Sequence, residues 1–296
     1  PVHPSPGEAS GSRRRGLAMK CIRRVLGNVM RRNPRSFRRG PSPFELRALS
    51  SEPSNASNSK KFEWKNDGFV KTSTPETVFL AFGSATLGLL YPERADLIAT
   101  LGETTGGPAL RRIKSKMEAT REGRLILEEK PRISSETLPL DSLLKLDSNT
   151  FGFAYAKFMS SHGYTSDERP LVKHIEDIDL AYVMQRYREV HDFWHVLADA
   201  PTTVEGEIGQ KAFEFLQTGL PMALLSTVVG PLRLSHDQRM RILTAYLPWA
   251  YTCHSNCTFL MGIRYENYLK EDLESFRKQL GVVPLTQYIQ NSDPTK

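Results

Sequence analysis

The sequence predicts an all-α protein with a single compact multi-helix domain. Segments with apolar residues three and four positions apart recur along the chain, separated by Pro, Gly and Ser/Thr. No run of alternating β-branched residues is long enough to form a sheet, and no segment repeats. We assign this domain to residues 74–296.

Residues 1–40 are strongly basic and are predicted to be a mitochondrial transit segment. They contain ten Arg and one Lys against one Glu, a net charge of 11 − 1 = +10. After Met19, a candidate initiator, apolar residues recur at helical spacing with arginines mainly on the other side, which is typical of transit peptides. The alternative is a disordered basic arm. Residues 41–73, rich in Pro, Ser and Asn, are interpreted as a flexible linker.

The composition of the remaining chain excludes several classes of protein. The whole chain has a net charge of +7, so the part after residue 40 carries 7 − 10 = −3. A mildly acidic body argues against a nucleic-acid partner, because binding phosphates requires positive charge on the folded surface. Three cysteines are too few for a disulfide framework and fit a reducing compartment. No apolar run approaches the length of a membrane span.

Helix-terminating residues divide the first half of the domain. Thr74, Pro75 and Glu76 begin the first helix, because a capping hydroxyl followed by Pro is typical of a helix start. Pro131 and Pro139 are expected to force short elements between residues 123 and 146, with a short helical turn over 141–146. The predicted helices in this half are 74–91, 92–101, 109–120 and 150–160.

The second half contains the longest predicted helix, residues 178–199. This segment lacks Gly and Pro and is stopped by Pro201. A further prediction is that Pro248 kinks one of the later helices. The other predicted helices are 206–218, 220–229, 235–253 and 259–280.

Four residues of the longest helix and its successor are predicted to bind a metal. His191 and His195 are four apart and therefore share one helix face, with Asp192 on its flank. Glu207 follows after the chain has room to turn back. His and carboxylate groups commonly hold a divalent metal such as zinc. From the residues alone, Asp192 is either a ligand or a general base, and the alternative is that two histidines simply lie in an amphipathic helix.

Other candidate sites are weaker. Cys253, His254 and Cys257 form C-H-x-x-C without a second pair of ligands and are interpreted as residues of a buried helix. Arg186 and Arg188 flank the metal motif, where they would bind a carboxylate or phosphate or form ordinary surface ion pairs. There is no glycine pattern of a nucleotide-binding loop.

Two apolar segments, 78–90 and 220–229, carry smooth surfaces of small and aliphatic residues. Such segments are usually part of the core. They are also compatible with a lipid chain lying between helices.

The segments from residue 75 to residue 280 resemble the family of the fourth protein, in the conventional numbering, of the mitochondrial ubiquinone (coenzyme Q) biosynthesis pathway. The family hallmark His-Asp-x-x-His-x11-Glu is matched by His191, Asp192, His195 and Glu207 without a departure. The other similar segments are RADLIATLGETTG (94–106), TFGFAY (150–155), DLAYVMQRYREVHDFWH (179–195), PTTVEGE (201–207), QTGLPM (217–222), GPLRL (230–234) and YLPWA (246–250).

The resemblance implies an activity, a location and partners. The activity is a carboxy-lyase reaction, the oxidative C1 decarboxylation of 4-hydroxy-3-methoxy-5-polyprenylbenzoate. It depends on a divalent metal, expected to be zinc, held by His191, Asp192, His195 and Glu207. The location is the matrix side of the inner mitochondrial membrane, as a peripheral protein. The implied partners are the polyprenylated benzoate, the other ubiquinone-biosynthesis enzymes in one complex, the membrane surface and, in one reading, a second copy in a homodimer.

Two alternatives remain at this point. One is a non-enzymatic, lipid-binding scaffold for the biosynthetic complex, in which the metal is structural. The other is a metal-dependent hydrolase with Asp192 as its base, which the absence of a predicted strand beside the helix disfavours.

Overall fold

Helices form the framework of the chain, as the sequence predicts. The computed structural model describes residues 68–90 and 94–292, so the predicted transit segment and most of the predicted linker lie outside the described residues. Within those two ranges there is no strand, and the β-type pairing found there is an isolated antiparallel bridge between Thr150 and Asp272. The all-α fold class is confirmed.

The helices of the first half of the domain are α1 (Thr74–Leu90), α2 (Ala95–Thr105), α3 (Gly107–Glu118), α4 (Arg121–Glu129), α5 (Leu140–Leu143) and α6 (Phe151–His162). Those of the second half are α7 (Ile178–Ala198), α8 (Val204–Thr218), α9 (Pro221–Val229), α10 (His236–Arg241), α11 (Leu247–Asn256), α12 (Leu273–Leu280) and α13 (Leu285–Asn291).

Two helices in the first half differ from the prediction. Helix α2 continues through Gly102, where the sequence suggested a break. The glycine leaves room for α9, because a Cβ at Gly102 would lie 2.4 Å from the Met222 sulfur. Helix α4 occupies a stretch that was predicted to be mixed. Thr120 caps its start by accepting a hydrogen bond from the Gly123 amide, and Lys130 ends it in the left-handed conformation.

Two segments in the second half also differ. Residues 259–280, predicted as one helix, contain the short 3-10 turns Leu260–Gly262 and Tyr265–Asn267 before α12 begins. Asp272 caps α12 by accepting from the Ser275 amide, so the helix starts there and not at residue 259. The predicted helix 235–253 is interrupted by a π-helical stretch, Ile242–Tyr246. This stretch ends two residues before Pro248, the position of the predicted kink.

Helix α7 lies in the centre of the fold and is buried around almost its whole circumference. Its apolar residues, among them Tyr187, Phe193 and Trp194, join the main hydrophobic cluster. A helix in this position has to pair each buried charge with a partner from a neighbouring element. The site residues are therefore carried by the most enclosed element of the protein.

The buried arginines of α7 show this pairing. Arg186 donates to both carboxylate oxygens of Glu266, at 2.6 and 2.8 Å, and Arg188 donates to Glu103 at 2.6 Å. Both are core residues that bind neighbouring elements. Because both side chains are buried, the prediction that they bind a ligand's carboxylate or phosphate, or form ordinary surface ion pairs, was wrong.

Helix α1 packs against α2 and leaves part of its apolar surface in solvent. The side chains of Val78, Phe79 and Phe82 are 63%, 77% and 76% exposed. Among the described residues, no helix is both long and apolar enough to cross a membrane.

Candidate metal centre

Helices α7 and α8 bring three of the four predicted ligands together. One ligand atom from each of His191, His195 and Glu207 lies within 4.8 Å of the other two. Among the described residues, these three have the chemistry and the spacing needed to hold a metal ion. Asp192 lies outside the group.

The local structure explains why Glu207 reaches the histidines. Helix α7 ends at Asp199, which adopts the left-handed conformation with φ of 48°. After a short loop, Thr203 caps α8 by accepting a hydrogen bond from the Gly206 amide at 3.2 Å. A Cβ at Gly206 would lie 2.0 Å from the Pro201 carbonyl oxygen, so only glycine permits this close return of the chain. The turn places Glu207 opposite His195.

Each histidine of the centre donates a hydrogen bond through Nδ1. The acceptor for His195 is the Ala200 carbonyl oxygen at 3.0 Å, and the acceptor for His191 is Glu214 Oε1 at 2.6 Å. Carbonyl and carboxylate oxygens only accept, so both Nδ1 atoms carry protons. In the neutral imidazoles, Nε2 is then the nitrogen available to bind a cation.

His195 and Glu207 form the closest pair of the centre. His195 Nε2 lies 3.2 Å from Glu207 Oε1, but this buried nitrogen makes no well-directed hydrogen bond. Tetrahedral ligation with bonds of about 2.1 Å places ligand atoms about 3.4 Å apart, close to this distance. A buried, unpaired nitrogen beside a carboxylate therefore fits a bound divalent metal.

The electrostatics of this pair also favour a cation. Burial raises the pKa of Glu207, but His195, His191 and Lys211 outweigh it and lower that pKa to about 2. Burial lowers the pKa of His195, but Glu207 and the Ala200 carbonyl reverse the effect and raise it above its ordinary value. Glu207 is therefore ionised at neutral pH, and the position between the two side chains stabilises positive charge, whether from a proton or from a metal ion.

Glu214 is part of the centre, although the sequence motif does not include it. Its side chain is completely buried and accepts hydrogen bonds from His191 Nδ1, from Lys211 Nζ at 2.8 Å and from the Tyr187 hydroxyl. Burial raises its pKa, but Lys211 and His191 together hold that pKa well below the ordinary value. A signal was present in the sequence, because Glu207, Lys211 and Glu214 are spaced to share one face of α8.

The carboxylate of Asp192 pairs with Arg169, a residue that follows a short 3-10 turn (Ser166–Glu168). Arg169 Nη2 donates to both carboxylate oxygens, at 2.6 and 2.8 Å. Burial lowers the pKa of Arg169, but Asp192 and also Glu207 and Glu214 raise it above its ordinary value. Asp192 as a metal ligand stays a prediction.

The C-H-x-x-C motif, residues 253–257, lies at the end of α11 and is not among the candidate metal ligands. Cys253 is buried in α11, and Gln217 Nε2 donates to Cys257 Sγ at 2.9 Å. Cys253 is a buried helix residue, as interpreted from the sequence, whereas Cys257 follows the end of α11 and is only partly buried.

Comparison with known proteins identifies the family of this fold and site. A family model described as coenzyme Q (ubiquinone) biosynthesis protein Coq4 matches residues 67–286, which include all four predicted ligands. The chain belongs to the Coq4 family. Membership of the Coq4 family gives the protein a role in ubiquinone biosynthesis.

Two Coq4 relatives are similar in sequence to this chain over most of their own length. The chain is 40% identical over 237 residues to the mitochondrial ubiquinone biosynthesis protein COQ4 of Coprinopsis cinerea, covering 80% of this chain and 81% of the relative. It is 42% identical to the mitochondrial COQ4 homologue of Xenopus laevis, covering 74% of this chain and 77% of the relative.

A crystal structure of a protein from Nostoc punctiforme PCC 73102 shares the Coq4 fold seen here. It superposes with a TM-score of 0.56 at 21% identity, covering 71% of this chain and 99% of that chain. At this identity the likeness concerns the fold.

Proposed function

We propose that this Coq4 protein is a metal-dependent decarboxylase that removes the C1 carboxyl group of 4-hydroxy-3-methoxy-5-polyprenylbenzoate. The observation that carries the proposal is the convergence of His191, His195 and Glu207 within 4.8 Å on two helices of a chain from a ubiquinone-biosynthesis family. The expected metal is zinc, in line with the His and carboxylate ligands.

The chain's own residues fix the ligand atoms before any metal arrives. His195 is held by its bond to the Ala200 carbonyl and by stacking on Phe158, with ring centres 5.7 Å apart. His191 is held by Glu214. The side chain of Glu207 is 38% exposed, so the centre opens toward solvent on the α8 side. A divalent metal bound there supplies a Lewis acid for the carboxylate or phenolate of the substrate.

Arg169 is the residue we assign to the substrate carboxylate. Its contacts with Asp192 both use Nη2, and 35% of its side chain remains exposed beside the centre. A guanidinium held in one orientation binds a carboxylate in a defined geometry. Asp192 then anchors Arg169 and orients the benzoate.

The atoms of the reaction balance in either of two forms. The bond between C1 and the carboxyl carbon breaks, carbon dioxide leaves, and the electron pair of that bond stays on the ring. In a simple decarboxylation a proton takes its place. In the oxidative form, dioxygen takes up that electron pair and becomes hydrogen peroxide, and water supplies the hydroxyl oxygen at C1, so that the benzoic acid, O2 and H2O give the phenol, CO2 and H2O2.

The proposed location is the matrix side of the inner mitochondrial membrane, with the protein bound peripherally. The relatives described above are named as mitochondrial proteins. The exposed Phe79 and Phe82 on α1 offer an apolar contact with lipid.

We also propose that the protein gathers other ubiquinone-biosynthesis enzymes into one complex and that it is able to form a homodimer.

A direct assay tests the proposed activity. The purified protein, with its metal content measured, is incubated in air with a prenylated 4-hydroxy-3-methoxybenzoate, and release of carbon dioxide is followed. We expect turnover by the wild type and none by His195→Ala, which should lose the metal but retain its helical circular dichroism. Turnover that continues in metal-free protein would contradict the metal-dependent mechanism.

A second candidate is a non-enzymatic scaffold whose metal is structural. The exposed apolar surface of α1 favours this candidate, because it suits binding to lipid or to another protein. The two functions differ in the assay: a scaffold binds prenylated benzoate and zinc but releases no carbon dioxide.

A further inference from the structure

Glu214 is the buried partner of the predicted ligand His191. Its carboxylate receives three donors, of which His191 Nδ1 is 2.6 Å and Lys211 Nζ is 2.8 Å away, and the third is the Tyr187 hydroxyl. None of its side chain is exposed. A buried carboxylate that is surrounded by three donors has one orientation, and charge-assisted bonds of this kind are short and strong.

We infer that Glu214 is a positioning residue for the metal centre. It keeps the proton of His191 on Nδ1 and fixes the plane of the imidazole, so that Nε2 is presented as a ligand. Histidine ligands commonly donate their second nitrogen to a carboxylate in this way, which raises the basicity of the ligand. The inference rests on the proposed metal centre and adds Glu214, with Lys211 and Tyr187 as its supports.

The geometry of α8 links this residue to the ligand Glu207. Glu207 and Glu214 are seven positions apart, two turns along the same face of α8, and His191 and His195 are four positions apart on one face of α7. Each histidine therefore faces one acid of α8. Glu207 lies against Nε2 of His195, and Glu214 binds Nδ1 of His191, so the two acids have different roles.

Zinc affinity of the full chain tests the inference. In Glu214→Gln, the amide no longer offers an anionic acceptor to His191. We expect Zn²⁺ affinity, measured by competition with a chromogenic chelator, to fall by about 10–100-fold. The absorption spectrum of the Co²⁺-substituted protein should change as well, because the orientation of one ligand is lost. A purely structural role would not alter that spectrum.

Glu205→Gln provides the matched control. It makes the same change in another carboxylate of α8, one that pairs with Arg241 and not with a histidine. We expect its zinc affinity to change by less than the tenfold lower bound for loss of an orienting partner. If Glu214→Gln does not fold, Glu214→Asp is the second variant, since it keeps the charge but is too short to maintain the 2.6 Å contact.

Two results would overturn the inference. One is wild-type zinc affinity and an unchanged Co²⁺ spectrum in folded Glu214→Gln while His191→Ala loses zinc. The other is an equal loss of zinc affinity in Glu205→Gln, which would assign the effect of Glu214→Gln to the loss of a negative charge from α8 and not to the positioning of His191. Because zinc is measured without substrate, a negative decarboxylation assay contradicts the proposed function alone. A wild type that binds no zinc contradicts both.

Discussion

Asp192 is bound to Arg169 through two short contacts from one guanidinium nitrogen, while the two histidines on either side of it in the motif face Glu207 and Glu214. This arrangement separates the roles of the motif residues. In the proposed metal centre, His191 and His195 are ligands and Asp192 holds Arg169 in place.

Asp192→Asn should therefore keep most of its zinc and lose activity. The ligand group of His191, His195 and Glu207 is unchanged by the substitution, but Arg169 is no longer held. We expect KM for the prenylated benzoate to rise with little loss of zinc affinity, measured by steady-state kinetics and by metal analysis of the same preparation.

His195→Ala is the comparison for this variant, because it removes a ligand from the same helix face. If Asp192→Asn loses zinc as completely as His195→Ala does, Asp192 is a metal ligand and its pairing with Arg169 is secondary. Arg169→Gln should reproduce the rise in KM.

Gly206→Ala should weaken the metal centre without replacing any of its ligands. The new Cβ would lie 2.0 Å from the Pro201 carbonyl oxygen, so the start of α8 would have to move and would carry Glu207 with it. We expect a loss of about 1–3 kcal/mol in the free energy of unfolding, measured by urea denaturation, together with weaker zinc binding.

Gly83→Ala is the control for this glycine. Gly83 lies in α1, and no atom is found within 4 Å of the position of its Cβ. Replacing a helical glycine that has open space at its Cβ position with alanine should stabilise the protein by about 0.5–1 kcal/mol and leave zinc binding unchanged. Equal zinc affinity in Gly206→Ala would show that the turn at Pro201 does not position Glu207.

The fold was predictable where Gly, Pro and capping residues mark helix ends. Helix α7 begins at Asp177 and ends before Pro201, as its uninterrupted sequence suggests. Prediction failed where packing decides the outcome. Gly102 lies within α2 at the point where α9 packs closely, and the segment of 3-10 turns before α12 makes long-range contacts such as the bond from the Arg264 amide to Glu122.

The candidate site was predictable for its ligands and not for its supports. His191 and His195 are found by helical spacing alone, and the family motif adds Glu207. Glu214 lies 23 residues beyond His191 and Arg169 lies 23 residues before Asp192. Helical spacing places Glu214 on the same face of α8 as Glu207, but no local rule assigns Glu214 or Arg169 its partner on another helix, because these contacts arise from how the helices pack.

The pair formed by Arg186 and Glu266 should make stability depend on pH. Burial raises the pKa of Glu266, but Arg186 outweighs it and lowers that pKa below the ordinary value of 4.5. A carboxyl group whose pKa is lower in the folded protein stabilises the fold above its unfolded pKa. Its contribution is lost as the pH falls through the lowered folded value. We expect the free energy of unfolding to decrease below about pH 4.5.

The variant Glu266→Gln isolates this contribution. It should be about 3–5 kcal/mol less stable at pH 7, because Arg186 is left buried without its partner. The difference in stability from the wild type should shrink as the pH is lowered. Glu274→Gln, which alters a largely exposed carboxylate, serves as the control. A difference that stays constant down to pH 3 would contradict the assignment.

The exposed surface of α1 should contribute to membrane binding. Phe79 and Phe82 are 77% and 76% exposed, so Phe79→Ser with Phe82→Ser should change the free energy of unfolding by only about 0.5 kcal/mol per site. Burying one Phe side chain in lipid contributes about 1.5–3 kcal/mol, so we expect at least about a tenfold loss of affinity for vesicles of phosphatidylcholine and cardiolipin. Ile289→Ser, on α13, replaces another exposed apolar side chain and should leave vesicle binding, measured by co-sedimentation, unchanged. If Ile289→Ser loses as much affinity for vesicles as the variant with Phe79→Ser and Phe82→Ser, α1 is not the specific lipid contact, because exposed apolar surface in general would then explain the binding.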